Sequence, residues 1–296
     1  MPSVAAWLLA RPQNTVFALV IAMLAPGLAM LSGAILLLAV LQQDLQKAAL
    51  VAGLAAAILV AVALAVGSAP LQALVQIGSL WLPILGLSAV LRSTRSLTLT
   101  LQLSVILVII GTTLFFVLSS DPVAFWNSMI AADPLLQSLT GSLQQWKTAI
   151  GATDMQFAGV MTTMYAIGYW FGLVAVTLLG YWLYLQLPEK SAEFGRFRDL
   201  NFGRVVALIL AITSVAGFVF DAIWIQSIAF FLFAVFWLQG AAMVHWLKGV
   251  GLAPVIAVSA VYVLTILLPQ YVFPAIAVLG YTDAWFQFRD RVTRKQ

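Results

Sequence analysis

Eight apolar stretches, each near or above the ~20 residues that cross a bilayer as a helix, govern what this chain can fold into. They run from Val16 to Leu41, Ala48 to Val66, Leu71 to Val90, Leu97 to Leu118, Phe157 to Leu187, Phe202 to Phe220, Trp224 to Trp246 and Pro254 to Gly280. The runs are continuously apolar and do not alternate with a two-residue period, so helices are expected and barrel strands are not. Of the 296 residues 63% are hydrophobic and only 8% charged, against about 25% charged in an ordinary soluble domain. The expectation is an all-α integral membrane protein with the lipid bilayer as its first partner. No Pro/Gly/Ser linker and no long polar segment divides the chain, so residues 1–296 read as one transmembrane helical domain. Met1 to Arg11 lacks the cationic region of a signal peptide, and the apolar run that follows is expected to be retained.

The simplest topology, eight full crossings, conflicts with the loop charges. Basic residues concentrate on the cytoplasmic side of membrane proteins. With both termini cytoplasmic, a serpentine of eight crossings puts Lys47, Arg92, Arg95, Lys190, Arg196, Arg198, Arg204 and Lys248 outside. Inverting it strands the basic tail Arg289 to Lys295 outside instead. If the first and last segments enter and return on the cytoplasmic side, every basic residue except Lys147 becomes cytoplasmic. Local sequence favours such breaks: Pro26-Gly27 interrupts the first segment, and Pro269 and Pro274 the last, because proline removes a helical hydrogen bond and glycine weakens a helix. The reading is therefore eight hydrophobic segments, the first and last broken or re-entrant, with six crossings between them. Both termini would face the cytoplasm of a bacterium, the chain lying in its inner membrane.

Two loops carry most of the polar sequence. The larger, 119–156, falls outside in this topology, and the more charged, 188–204, falls inside. In the first, Asp121-Pro122 and Asp133-Pro134 read as helix starts, with Asp as N-cap and Pro at the first helical position. Beyond the second, Leu135, Leu136, Leu139, Leu143, Trp146 and Ile150 recur at helical spacing, which predicts an amphipathic helix lying on the outer interface or lidding the bundle. The inner loop reads EKSAEFGRFRDLNFGR from Glu189 to Arg204. Its Glu193, Arg196 and Arg198 are candidates for docking a membrane or cytoplasmic protein partner.

Chemistry-bearing residues are few. There is no cysteine and one histidine, His245, so Cys/His zinc sites, disulfides and thiol nucleophiles are excluded. No phosphate-binding glycine loop, paired carboxylates or Ser/His/Asp set is visible, and neither enzymatic activity nor a cofactor is expected. The formal charge of +4 arises from basic residues scattered in short loops, which does not make a nucleic-acid surface. His245, beside Trp246 and Lys248, reads as an interfacial anchor. Asp221 is the acid of most interest, since it sits in a tight connection between two apolar segments, where an ionisable group is a functional candidate by default. Trp224 and Gln226 would be its neighbours in any ligand site. Gln239, Gln72 with Gln76, and Gln102 with Thr98 can hydrogen-bond between helices.

Four stretches taken in order, LRSTRSL at Leu91 to Leu97, EFGRFRDL at Glu193 to Leu200, GAAMVH at Gly240 to His245 and DAWFQFRDR at Asp283 to Arg291, resemble the YybS-like family of uncharacterised bacterial membrane proteins. Members of that family are distantly similar to the substrate-binding membrane subunits of energy-coupling-factor transporters. The resemblance implies about six helices, a small solute bound from the outer side, and contact with a membrane partner through an Ala-xxx-Ala motif, for which Ala18 and Ala22 are the matching pair. The function expected is a small-solute-binding or transport-related membrane subunit. The alternative is a non-transporting interaction or assembly protein that docks a partner through its cytoplasmic loop and basic tail.

Overall fold

The computed structural model describes residues 4–25, 27–149 and 151–293; Pro26, Ile150, Arg294 and Lys295, and the side chains of Leu135 and Trp146, lie outside the described residues. No strand occurs among the described residues. In chain order the helices are α1 (Val4–Ala10), α2 (Pro12–Leu24), α3 (Ala29–Gln42), α4 (Leu45–Ala65), α5 (Pro70–Thr94), α6 (Leu97–Leu118), α7 (Pro122–Ala132), α8 (Pro134–Ser138), α9 (Thr140–Ala149), α10 (Asp154–Leu185), α11 (Gly203–Phe220), α12 (Ile223–Gly249), α13 (Val255–Leu267), α14 (Pro269–Phe286) and α15 (Phe288–Thr293). Six of them, α4, α5, α6, α10, α11 and α12, are long and apolar enough to cross a membrane. These are the six inner apolar segments of the sequence. The pair α1 and α2 meets the same standard only jointly, and is bent by 116°.

Helix starts follow the local chemistry. Asp44 caps α4 by accepting from the Lys47 amide at 2.8 Å. Asp121 accepts from the Val123 and Ala124 amides, each at 2.9 Å, with Pro122 opening α7, and Asp133 accepts from the Leu136 amide ahead of α8. α10 opens on a reciprocal capping box, in which Thr153 Oγ1 accepts from the Gln156 amide at 3.2 Å and Gln156 Oε1 accepts from the Thr153 amide at 3.0 Å. The continuous helix expected from Pro134 to Ile150 is instead two short helices meeting at Leu139. The run Ser138-Leu139-Thr140-Gly141 is made largely of poor helix formers, and nothing buries Leu139, which is 44% exposed.

The chain forms two compact units, Met1–Ser104 with Trp170–Phe197, and Val105–Tyr169 with Arg198–Gln296. The first is built around α3, whose residues from Ser32 to Leu41 are all buried. α2, α4 and α5 pack on it. A Cβ added to Gly180 of α10 would stand 2.8 Å from the Ala34 carbonyl oxygen, so only glycine lets that helix approach. The Trp81 indole N–H donates to Ser32 Oγ at 2.9 Å, which satisfies the tryptophan inside the core. At one end of the unit Arg92 donates to the Val40 carbonyl at 2.6 Å, placing a cation where the last turn of α3 leaves its carbonyls unpaired. The Leu97 amide donates to the Phe194 carbonyl at the start of α6. α3 has 14 residues, about 21 Å at ~1.5 Å per residue, which is short of the ~30 Å hydrocarbon core. α2 packs on both α3 and α4.

The second unit is built around α12, which is buried along most of its length and is packed by α11, α13 and α14. α13 runs back along it, with Tyr262 reaching His245 at 3.0 Å. After the break at Leu268, α14 crosses α12. Phe273 stacks on Trp237, whereas Asp283, ten residues on, meets Gln239. The α12–α14 contact is made backbone to backbone. A Cβ at Gly240 would stand 2.0 Å from the Ile276 carbonyl oxygen, and one at Gly280 would stand 2.1 Å from that of Phe236. Ala277 and Ala284 continue the same buried stripe, the small-residue packing that holds membrane helices together where hydrophobic burial gives little.

Candidate functional site

Two polar centres are built into the second unit, one near the start of α12 and the other toward its close. The first begins where α11 ends. Asp221 adopts a left-handed conformation, φ 47°, one that Asp tolerates better than most residues, and the chain reverses there into α12. One turn along, Gln226 Nε2 donates to the Gly217 carbonyl and to Asp221 Oδ1, both at 3.0 Å. A Cβ at Gly217 would lie 3.1 Å from Gln226 Cγ, so glycine lets the glutamine lie flat against α11.

Gln226 stands between two hollows. On one side is a cavity of about 210 Å³ lined by Gln156, Gly159, Thr163, Ile223 and Ser227. On the other, between α11 and α12, is a groove of about 370 Å³ lined by Leu210, Thr213, Ser214, Phe218, Ala229 and Phe233. Gln226 and Phe230 border both, and no charged side chain among the described residues lines either. Of the sequence-predicted trio, Asp221 and Gln226 are brought together. Trp224 is 45% exposed and lines neither hollow. Gln156, Thr163 and Ser227 were not legible as site residues, because they lie one per turn in apolar helices and converge only through packing.

The second centre is ionic and buried. Asp283 is fully buried and Arg289 is 8% exposed. Arg289 donates to Asp283 Oδ2 through Nε at 3.1 Å and Nη2 at 2.5 Å, and Gln239 Nε2 donates to the same oxygen at 3.2 Å. Arg289 also donates to the Arg198 and Leu200 carbonyls at 3.0 and 2.8 Å. Gln239 Oε1 in turn accepts from the Phe202 amide at 2.7 Å. One cluster thus clasps α12, the end of α14, the segment beyond Gln287 and the 198–202 loop, and nearly every charged or polar atom in it has a partner. Asp283 Oδ1 and, in the loop, Arg198 Nε are exceptions. The sequence showed Gln239 as a helix-bridging side chain but not this clasp; its only trace was Asp283 at the end of an apolar run with Arg289 six residues on.

The remaining predicted contacts are largely engaged within the chain. Ala22 is 6% exposed and Ala18 half-buried on α2. Glu193 accepts from the Tyr184 hydroxyl. Arg198 lies against Gly249, the last residue of α12, with Nη1 2.5 Å from where a Cβ would stand, so its charge faces the negative end of that helix. Arg196 is exposed. No group of three or more His, Asp or Glu placed to hold a metal occurs among the described residues. Compared with protein-family models, with curated proteins and with solved structures, the chain matches none.

Proposed function

We propose that the chain is a multi-pass bacterial inner-membrane protein, a transport-related subunit, that binds a small molecule at Gln226. The observation that carries this reading is the fixed carboxamide: held by Asp221 and the Gly217 carbonyl, it stands at the junction of two hollows. A cavity with a few convergent polar groups in an otherwise apolar wall is the usual form of a ligand site. In the membrane the chain makes six crossings, and the α2–α3 and α13–α14 hairpins return to the side on which they entered. Contacts within each unit support this. Residue 289, the 198–202 loop and the end of α12 meet, as do Arg92 and the end of α3. Loop charge then sets those ends in the cytoplasm and the Gln226 site toward the outer face.

Native mass spectrometry after gentle extraction is expected to show a bound small molecule on the wild type and on Arg196→Ala, and at least tenfold less of it on Gln226→Ala. Equal occupancy in Gln226→Ala and wild type would refute the site. Loss of a copurifying protein from Arg196→Ala, with Gln226→Ala unaffected, would favour docking through the loop, since Arg196 is the exposed cation that Glu193 and Arg198 leave to a partner.

A further inference from the structure

We infer that the molecule held at Gln226 is a neutral amphiphile, one hydrocarbon chain joined to an uncharged hydrogen-bonding head, that enters sideways between α11 and α12. This rests on the reading of Gln226 as a ligand site and names its ligand class. The two hollows differ in chemistry and adjoin at Gln226 and Phe230, which border both.

Among the described residues the cavity carries polar but no charged side chains in an otherwise apolar wall. The Thr163 and Ser227 hydroxyls both donate to the Gly159 carbonyl, at 2.8 and 3.4 Å, leaving their oxygens to accept. Gln156 spends its Oε1 on the Thr153 amide and keeps its Nε2 to donate, while Gln226 spends its Nε2 and keeps its Oε1. Donors and acceptors are therefore both offered. Its volume of about 210 Å³ equals that of roughly seven water molecules at ~30 Å³ each, room for a head of two or three hydroxyls or amides. No cation among the described residues lines the cavity to meet an anionic head, and the Asp221 carboxylate is already engaged by the Gln226 carboxamide, so an uncharged head is the better fit.

The groove is the complement. Its walls run from Leu210 to Gly217 on α11 and from Gln226 to Phe233 on α12, each about 10 Å at ~1.5 Å per residue. Both helices are of membrane-crossing length. The rim is exposed apolar surface, Phe218 at 89% and Phe230 at 65%, and within a bilayer such surface meets lipid tails, so a chain can slide in without crossing water. A wholly polar solute would leave this wall empty, and a wholly apolar one would leave the amides and hydroxyls of the cavity unpaired. An amphiphile satisfies both hollows.

Monooleoylglycerol is the probe, with glycerol and oleate as its separated halves. The full chain is placed in nanodiscs of phosphatidylethanolamine and phosphatidylglycerol. Monooleoylglycerol is expected to raise the melting temperature and to bind at least tenfold more tightly than either half. Ala229→Phe, which fills the groove from its half-buried wall, is expected to weaken that binding at least tenfold while leaving the probe-free melting temperature within a few degrees. Ser214→Phe, from the opposite wall, serves in its place should that variant not fold. Failure of monooleoylglycerol to bind the wild type, or undiminished binding by both filled variants, overturns the proposal. If a water-soluble solute is instead bound in a manner that Gln226→Ala abolishes and Ala229→Phe does not, the site stands and the amphiphile falls. If Gln226→Ala changes the binding of nothing, both fall.

Discussion

Arg289→Ala is expected to destabilise the protein by about 3–5 kcal/mol, the cost of removing one partner from a buried ion pair. The guanidinium is the hub of the clasp at the close of α12. Without it the fully buried Asp283 carboxylate loses its counter-charge, and the Arg198 and Leu200 carbonyls lose their donors. Equilibrium unfolding in mild detergent measures the loss. Arg289→Lys should fall between, because an ammonium is a point charge that cannot span the carboxylate and two carbonyls as the planar fork does. Replacing both members, Asp283→Leu with Arg289→Met, should cost less than Arg289→Ala alone, since it leaves no uncompensated charge. A loss for Arg289→Ala within about 0.5 kcal/mol, the range of an ordinary surface change, would mean that the clasp holds nothing.

Gly280→Leu should do comparable damage by a different route. Any side chain at that position drives its first carbon to 2.1 Å from the Phe236 carbonyl and 2.5 Å from the Gly240 amide. These are backbone atoms of a buried helix, so α12 and α14 must separate. The expected cost is at or above the ~3 kcal/mol upper end for overpacked cores. Gly53→Ala is the internal contrast: it faces open space on α4, and replacing a helical glycine there should be neutral or stabilising by up to about 1 kcal/mol. Thermal unfolding of both variants side by side checks the pair. Equal melting temperatures would show that the α12–α14 contact is not as close as described.

Much of the framework was legible because it is written in runs. Continuous apolarity marks α4, α5, α6, α10, α11 and α12, and the Asp-Pro pairs at 121 and 133 mark two helix starts by local hydrogen bonding alone. What escaped is what depends on approach between elements distant in sequence. The glycines at 240 and 280 look like any others in a chain with 20 of them, and only the meeting of α12 with α14 gives them their role. Asp283 and Arg289 read as the edge of a basic tail, because the sequence does not reveal that residues 198–202 fold in to meet them. At the Gln226 site the acid and the amide were visible, being five residues apart across one turn, whereas Thr163 and Gln156 come from another helix. Trp224, chosen for its nearness in sequence, points away because consecutive residues on a helix face different directions.

The topology is tested most directly by where single cysteines react, since the chain has none of its own. Val4 is 70% exposed, and Ser68 and Arg291 are exposed. In intact cells an impermeant maleimide should label Ser68→Cys and leave Val4→Cys and Arg291→Cys untouched, and in inverted vesicles the pattern should reverse. Labelling of Arg291→Cys from outside intact cells would mean that the α13–α14 pair crosses the membrane, and would contradict the six-crossing topology with its returning hairpins.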